Sequence, residues 1–336
     1  MARHTKDLEL VLHIGVHKTA TTYLQNVFSA RRYDLVQHGL LYPNTGTTEE
    51  VRVRTREGAQ SGHALFTYRD GRKTLAAELR NEIPATASTV LLSSEDFTHP
   101  RLTPQEHLEL FSMFGTVKVV AVVRRQDEWI ESLYKQSVDQ YGKFETRSFA
   151  DFLAQEGPQL VDLYSLLAPW RELVGPENFH VLSYDDLRDG DEICRRVLGA
   201  AGLSADVLGR FPGVEVPRYD SVRAIDTIGL RMLNSYRLPD RDVRNKVARE
   251  IYAAAPAGDI VLMTDEMRAG ILQRCARINE RIEAEWFSDP VPRFRFGAEP
   301  RVRTVEPPSG VEMVDYIDRV IALCESARGT GEGAAG

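Results

Sequence analysis

Residues 10–28 read LVLHIGVHKTATTYLQNVF, and this stretch decides the fold class. An apolar run ends at Gly15, a lysine and four small or hydroxylated residues follow, and apolar residues then return at helical spacing. Continuous apolar runs are typical of strands buried on both faces, whereas the later spacing is that of one helix face. The stretch therefore predicts a strand ending at Ile14, a turn from Gly15 to His17, and a helix that starts near Thr19.

Three further runs resemble the first and predict a sheet. They are short, rich in β-branched residues and mostly continuous in apolar character. With the first run, they span residues 8–14, 88–94, 116–123 and 178–184. Helical patterns lie between them. Strands that alternate with helices predict an α/β fold with a mostly parallel central sheet and helices on both faces.

The strand signal fades after about residue 200, and residues 220–286 show helical spacing, with Thr264 predicted as an N-cap. Since no linker rich in Pro, Gly or Ser separates this part, we expect a single domain over residues 1–328. The Gly- and Ala-rich C-terminus predicts a disordered tail. The predicted parts are a core at about 8–203, a helical extension at about 204–328, and a tail at 329–336.

Composition excludes several classes of function. The chain of 336 residues has 42 Lys and Arg against 49 Asp and Glu, a net charge of -7, so duplex nucleic acid is not expected as a partner. Its three cysteines are scattered and favour neither a disulfide framework nor a zinc site. No run of about 18 apolar residues and no signal sequence is evident. We expect a cytoplasmic protein that binds no membrane; a homo-oligomer is possible.

The turn that starts at Gly15 has the features of an anion-binding site. A strand, a tight turn and a helix N-terminus aim backbone N–H groups at one point, and the ammonium of Lys18 adds positive charge there. Small residues let the backbone approach the anion, and the hydroxyls of Thr19, Thr21 and Thr22 add donors. An ordinary turn with a solvated lysine stays open as the alternative.

The stretch GVHKTATT resembles the 5′-phosphosulfate loop of the PAPS-dependent sulfotransferases, whose usual form is close to G-x-x-K-[ST]-G-[ST]-[ST]. It is not a Walker A loop, because Lys18 follows Gly15 by only three positions. The resemblance implies a P-loop NTPase-like sulfotransferase fold. It also implies donor contacts by residues 17–22, which are His17, Lys18, Thr19, Ala20, Thr21 and Thr22. Ala20 replaces the usual glycine, which is harmless in a helical position but strained at positive φ.

A second segment, VVAVVRRQDEWIESLYKQSV, carries an arginine at a strand end and a serine eight positions later. Such strand ends face the ligand crevice of α/β sheets. In the family resembled, this pair binds the 3′-phosphate of PAPS, which implies that role for Arg124 and Ser132. Two alternatives stay open: Arg125 shares or replaces the role of Arg124, or both arginines are solvated charges at the strand end. The later YDDL at 184–187 also resembles the family, as an architectural turn.

The resemblance implies sulfuryl transfer from PAPS to a hydroxyl, or less favourably an amine, of a small-molecule or carbohydrate acceptor. Adenosine 3′,5′-bisphosphate is the product, and no metal is required. Lys18 would stabilise the leaving phosphate. The acceptor also needs a general base, and Glu95 follows directly on a predicted strand. Asp96, His63 and His99 compete for this role, and His63 is also a candidate contact to the acceptor.

Two other classes of function stay open. One is a P-loop kinase that uses ATP and magnesium, which the short spacing between Gly15 and Lys18 disfavours. The other is a nucleotide-binding protein without catalysis. Magnesium dependence separates the first from a sulfotransferase, and turnover separates the second. The sequence does not identify the acceptor.

Overall fold

The computed structural model describes most of the chain, and the sheet lies wholly within the described part. The described residues are 8–47, 62–99, 101–160, 162–184, 190–209, 222–238, 240–287 and 305–332. Five strands form one sheet, and every strand pair in it is parallel. They are β1 (Glu9–Gly15), β2 (Leu40–Leu41), β3 (Thr89–Ser93), β4 (Thr116–Val123) and β5 (Phe179–Ser183).

The predicted parallel α/β sheet is confirmed, and all four predicted strands are present within one residue of their expected ends. The two-residue β2 was not predicted. The strand order is β2-β3-β1-β4-β5. β1 and β3 are almost entirely buried, as is the second half of β4, which explains their continuous apolar runs.

Thirteen α-helices occur among the described residues. They are α1 (Thr21–Ala30), α2 (Arg32–Gln37), α3 (Arg72–Glu82), α4 (Pro104–Leu110), α5 (Gln126–Asp139), α6 (Phe149–Leu160), α7 (Leu163–Val174), α8 (Gly190–Ala200), α9 (Ala205–Leu208), α10 (Ala224–Ser235), α11 (Arg241–Ala254), α12 (Asp265–Trp286) and α13 (Gly310–Glu332). The hydroxyl of Thr264 accepts the N–H of Met267, as expected of an N-cap. No helix in the described ranges is both long and apolar enough to cross a membrane.

The chain divides into two compact units. Unit 1 comprises Met1–Arg125, Asp162–Arg218 and Arg277–Phe296. It contains the sheet, and its largest buried side chains around α1 and α8 include Leu24, Phe28 and Ile193. The strands and the buried faces of α1 and α8 therefore share one hydrophobic core.

Unit 2 comprises Gln126–Val161, Tyr219–Ala276 and Gly297–Gly336. Its core is helical and includes Tyr134, Phe149 and Ile251. The Asn234 amide donates hydrogen bonds to the carbonyls of Val138 and Glu145, at 2.8 and 2.9 Å. These bonds tie α10 to the end of α5 and the loop after it.

Within one domain, a core up to about residue 203 and a helical extension after it were predicted, and the bounds of the two units do not coincide with that position. Residues 126–161 precede that position yet belong to unit 2, and residues 277–296 follow it yet belong to unit 1. Helix α13 continues to Glu332, so residues 329–332 are helical where a disordered tail was expected.

Candidate functional site

The carboxyl ends of β1, β3 and β4 lie at one edge of the sheet in unit 1. The chain leaves β1 toward β2 at one side of the sheet, and it leaves β4 toward β5 at the other. Since β1 and β4 are neighbours, the strand order reverses between them. In open α/β sheets, ligands bind in the crevice at this position. The loops after β1 and β4 are those with the two phosphate-binding patterns.

The loop after β1 has an unusual backbone. Lys18 and Ala20 have positive φ values of 67° and 62°. The hydroxyl of the buried Thr19 donates to the carbonyl of Val16 at 2.7 Å, which closes the turn. Ala20 is therefore in the left-handed region and not in the helix, so the expected alternative of a strained loop applies.

The helix after the loop begins at Thr21, two residues later than expected. Its first backbone bond runs from the N–H of Leu24 to the carbonyl of Ala20, at 3.1 Å. The N–H groups of the first helical turn lie at the N-terminal end of the helix, where the helix dipole is positive. Lys18 and Thr22 are exposed, whereas Thr21 is buried. Together these groups form a site suited to an anion.

Gly15 is required by packing at the base of the loop. A Cβ atom on this residue would lie 2.9 Å from the Oγ1 of Thr19 and 3.1 Å from the Oγ1 of Thr21. Those distances are closer than side-chain contacts normally allow. The Thr19 hydroxyl, expected to donate to an anion, is instead directed into the loop, where it donates to Val16.

Arg124 follows β4 and contacts the loop after β1. Its Nη1 donates to the carbonyl of Lys18 at 3.2 Å, and its guanidinium carbon lies 5.0 Å from the centre of the Tyr184 ring. The N–H of Tyr184 in turn donates to the carbonyl of Val123 at 2.8 Å. Arg124 therefore connects the two segments whose sequence patterns were predicted to bind phosphate. Its guanidinium also makes a cation–π contact with the Tyr184 ring.

Glu95 starts a 3-10 turn, Glu95–Thr98, directly after β3. One carboxylate oxygen, Oε2, lies 3.4 Å from the amide nitrogen of Gln25 on α1. The other, Oε1, lies 4.0 Å from Nδ1 of His17. Glu95 therefore extends from the end of β3 to the loop after β1, and 27% of its side chain is exposed. Its position is that of a group able to accept a proton beside a ligand in the crevice.

His63 has a structural role and not the exposed one expected for an acceptor contact. Its side chain is fully buried. The N–H of Ser93 donates to its Nδ1 at 3.0 Å, so the ring proton is on Nε2, which donates to the carbonyl of Pro43 at 3.0 Å. Burial lowers the pKa of His63 to about 3, so the ring is neutral. Both nitrogens are occupied, which leaves neither for an acceptor.

The remaining predicted residues lie in other positions. Asp96 pairs with Arg101 at 3.8 Å, and the Nδ1 of His99 accepts the N–H of Arg101 at 3.3 Å. Ser132 is half-buried on α5 in unit 2, and Arg125 is buried. Asp185, Asp186 and Leu187 of the YDDL segment lie outside the described residues.

Sequence reasoning missed the polar residues beneath Glu95. His13 is fully buried in β1, and its Nδ1 bonds to the Oγ of Ser93 at 2.8 Å. Burial lowers the pKa of His13 to about 4. The amide of Gln25, on the buried face of α1, donates to the carbonyl of Ser93 at 3.3 Å. The only sequence signal for these residues was their polar character within otherwise apolar segments. Among the described residues, no group of three His, Cys, Asp or Glu side chains is placed to hold a metal ion.

No family model matches the chain, and no curated protein sequence matches it. Similar solved structures include a sulfotransferase from Alicyclobacillus acidocaldarius, 17% identical with a TM-score of 0.45, over 84% of this chain and 96% of that one. The mouse sulfotransferase SULT7A1 complexed with PAP is 13% identical with a TM-score of 0.41, over 81% and 85%. A sulfotransferase domain from the curacin biosynthetic pathway is 13% identical with a TM-score of 0.35, over 62% and 79%. The case for a function of this chain rests on its own residues.

Proposed function

We propose that this protein transfers a sulfuryl group from PAPS to a hydroxyl of a small-molecule or carbohydrate acceptor. One observation carries the proposal: Arg124 donates to the carbonyl of Lys18 at the point where the strand order reverses. The two residues belong to the two segments that resemble the PAPS-binding motifs of sulfotransferases. Their contact at the expected ligand crevice supports one donor site built from both.

In this proposal, the loop of residues 15–22 binds the 5′-phosphosulfate. The N–H groups in the first turn of α1, at the positive end of its dipole, and the exposed side chain of Lys18 supply positive potential. Arg124 binds the 3′-phosphate, a role that the resemblance to the sulfotransferases implies for Ser132 as well. The donor carries several negative charges, which suits a crevice that presents an arginine, a lysine and a helix N-terminus.

The reaction needs little covalent chemistry from the protein, because positioning and charge stabilisation lower the barrier in transfers of this kind. The acceptor oxygen forms a bond to sulfur as the bond from sulfur to the 5′-phosphate oxygen breaks. The electron pair of that bond leaves with adenosine 3′,5′-bisphosphate, whose new charge Lys18 stabilises. The acceptor proton passes to the carboxylate of Glu95, the proposed general base. None of these steps calls for a metal ion.

Turnover tests the proposal directly. Purified protein is incubated with ³⁵S-labelled PAPS and a panel of phenols, alcohols, amines and sugars, with EDTA present. We expect label in at least one hydroxyl acceptor and equal amounts of adenosine 3′,5′-bisphosphate. A parallel incubation contains ATP and magnesium without EDTA, and phosphate transfer there, with no sulfuryl transfer from PAPS, would replace the proposal by a kinase. Nucleotide binding without turnover on any acceptor would replace it by a binding protein.

A further inference from the structure

Ser93, the last residue of β3, is the centre of a buried polar network. Its N–H donates to Nδ1 of His63 at 3.0 Å, and its carbonyl accepts the N–H of His63 at 2.8 Å and the amide of Gln25 at 3.3 Å. Its Oγ bonds to Nδ1 of His13 at 2.8 Å. None of these four residues is more than 5% exposed. A buried network of this kind makes its surroundings rigid.

Gln25 connects this rigid network to the exposed carboxylate above it. Its NH₂ group has two hydrogens, and it lies within hydrogen-bond distance of two acceptors, the carbonyl of Ser93 and Oε2 of Glu95. The Glu95 carboxylate is 27% exposed, whereas Gln25 is 5% exposed. Gln25 is therefore a buried donor for one oxygen of a partly exposed side chain.

Gly62 holds the Gln25 amide from the opposite side. A Cβ atom on Gly62 would lie 2.3 Å from Nε2, 2.5 Å from Cδ and 2.7 Å from Oε1 of Gln25. Only a glycine leaves room for the amide in its observed place. The group that would have to move is the end of a flexible side chain and not the backbone, so a methyl group at this position displaces the amide at little cost to the fold.

We propose that Gln25 is the positioning residue of Glu95. Its amide fixes Oε2, so that Oε1, the oxygen that faces His17, is the one directed at the acceptor. This inference rests on the proposed function, in which Glu95 accepts the acceptor's proton. Without the amide, the carboxylate rotates among several orientations, and only a fraction of them is productive.

The test uses water as the acceptor, so that it does not depend on the natural one. Sulfate release from ³⁵S-labelled PAPS reports turnover: the water oxygen bonds to sulfur, the bond to the 5′-phosphate breaks, and the water proton passes to Glu95. Calorimetry with adenosine 3′,5′-bisphosphate reports the donor site separately. The variants are Gln25→Leu, Gln25→Glu and Gly62→Ala, with Gln37→Leu as a control at an exposed glutamine.

We expect Gln25→Leu and Gly62→Ala each to lower kcat about 10-fold to 100-fold, with the affinity for the bisphosphate unchanged. Combining the two should add little, because both remove the same contact. Gln25→Glu should move the acidic limb of the kcat profile to higher pH, because a second carboxylate beside Glu95 disfavours ionisation of the pair. A merely structural role for Gln25 would lower the stability of Gln25→Leu and leave its kcat unchanged.

Each result decides the inference. Wild-type kcat in both Gln25→Leu and Gly62→Ala, with turnover and donor binding present in the wild type, would overturn the positioning role alone. Absence of donor binding and sulfate release in the wild type would overturn the proposed function and this role with it. If Gln25→Leu does not fold, the kcat of Gly62→Ala decides whether Gln25 positions Glu95.

Discussion

The guanidinium of Arg124 donates a hydrogen bond to the carbonyl of Lys18, although 106 residues separate the two in sequence. The bond joins the loops after β4 and β1 at the place where the strand order reverses. It also fixes a carbonyl in a loop where Lys18 has a positive φ. A change at Arg124 should therefore affect both the charge of the crevice and the shape of the loop.

Ala20→Gly should stabilise the protein. The left-handed conformation costs an alanine about 1–2 kcal/mol, whereas a glycine adopts it freely. The larger entropy of the unfolded glycine chain offsets about 0.5–1 kcal/mol of this gain. We expect a net increase of up to about 1 kcal/mol in the free energy of unfolding, measured by urea denaturation.

The control for Ala20→Gly is Ala77→Gly, at an exposed position within α3. Glycine in a helix interior costs about 0.5–1 kcal/mol, so this variant should lose stability. A loss of stability in both variants would mean that Ala20 is not in the left-handed conformation.

Glu95→Gln should lower turnover with PAPS by a factor of about 10² to 10⁴, the usual contribution of a general base. Binding of adenosine 3′,5′-bisphosphate should stay within about twofold, because Glu95 has no proposed contact with the donor. Steady-state rates and calorimetry measure the two effects. Asp96→Asn is the matched control, because Asp96 follows Glu95 but pairs with Arg101. A large loss of turnover in Asp96→Asn alone would transfer the role of base to Asp96.

His63→Gln should make stability less dependent on pH. The pKa of His63 is lowered from 6.5 to about 3 in the folded protein, so between these values the unfolded chain binds a proton that the folded one does not. Stability from this group is therefore present above about pH 6.5 and is lost as the pH falls toward about 3. From about pH 7 to about pH 5, the wild type should lose about 2 kcal/mol more than the variant.

Glutamine suits this test because its oxygen and nitrogen imitate the acceptor and the donor of the His63 ring. Urea denaturation at several pH values measures the slope, and His38→Gln changes an exposed histidine as the control. Equal slopes for His63→Gln and the wild type would show that His63 is not buried in the neutral form.

The sequence predicted the sheet because most of the strands are continuous apolar runs, and β1, β3 and the second half of β4 are buried. Strand β2 was missed because Leu40 and Leu41 are too few residues to form a pattern. The left-handed conformation of Ala20 depends on how the loop closes through Thr19 and Val16, which residue types alone do not reveal. The resemblance to the sulfotransferase motifs identified Lys18 and Arg124 as candidates, but their contact could not be predicted without knowing that β1 and β4 are neighbours.

The polar network at Ser93 was not predictable for a different reason. Its members, His13, Gln25, His63 and Ser93, are far apart in the chain, and no local sequence pattern links them. His63 was a candidate base and acceptor contact, but its backbone and ring bond to Ser93 at the end of β3. Pairings of this kind depend on tertiary packing.

Calorimetric titration with adenosine 3′,5′-bisphosphate is the most direct test of the proposed PAPS site. It is carried out with and without magnesium, beside ATP, on the wild type, Lys18→Ala and Arg124→Ala, with the exposed Lys73→Ala and Arg80→Ala as controls. We expect the wild type to bind the bisphosphate tightly without magnesium. Lys18→Ala and Arg124→Ala should each weaken this binding at least about tenfold, and the two controls should leave it unchanged. Preference for ATP with magnesium, or equal affinity in all five proteins, would contradict a PAPS site formed by the loops after β1 and β4.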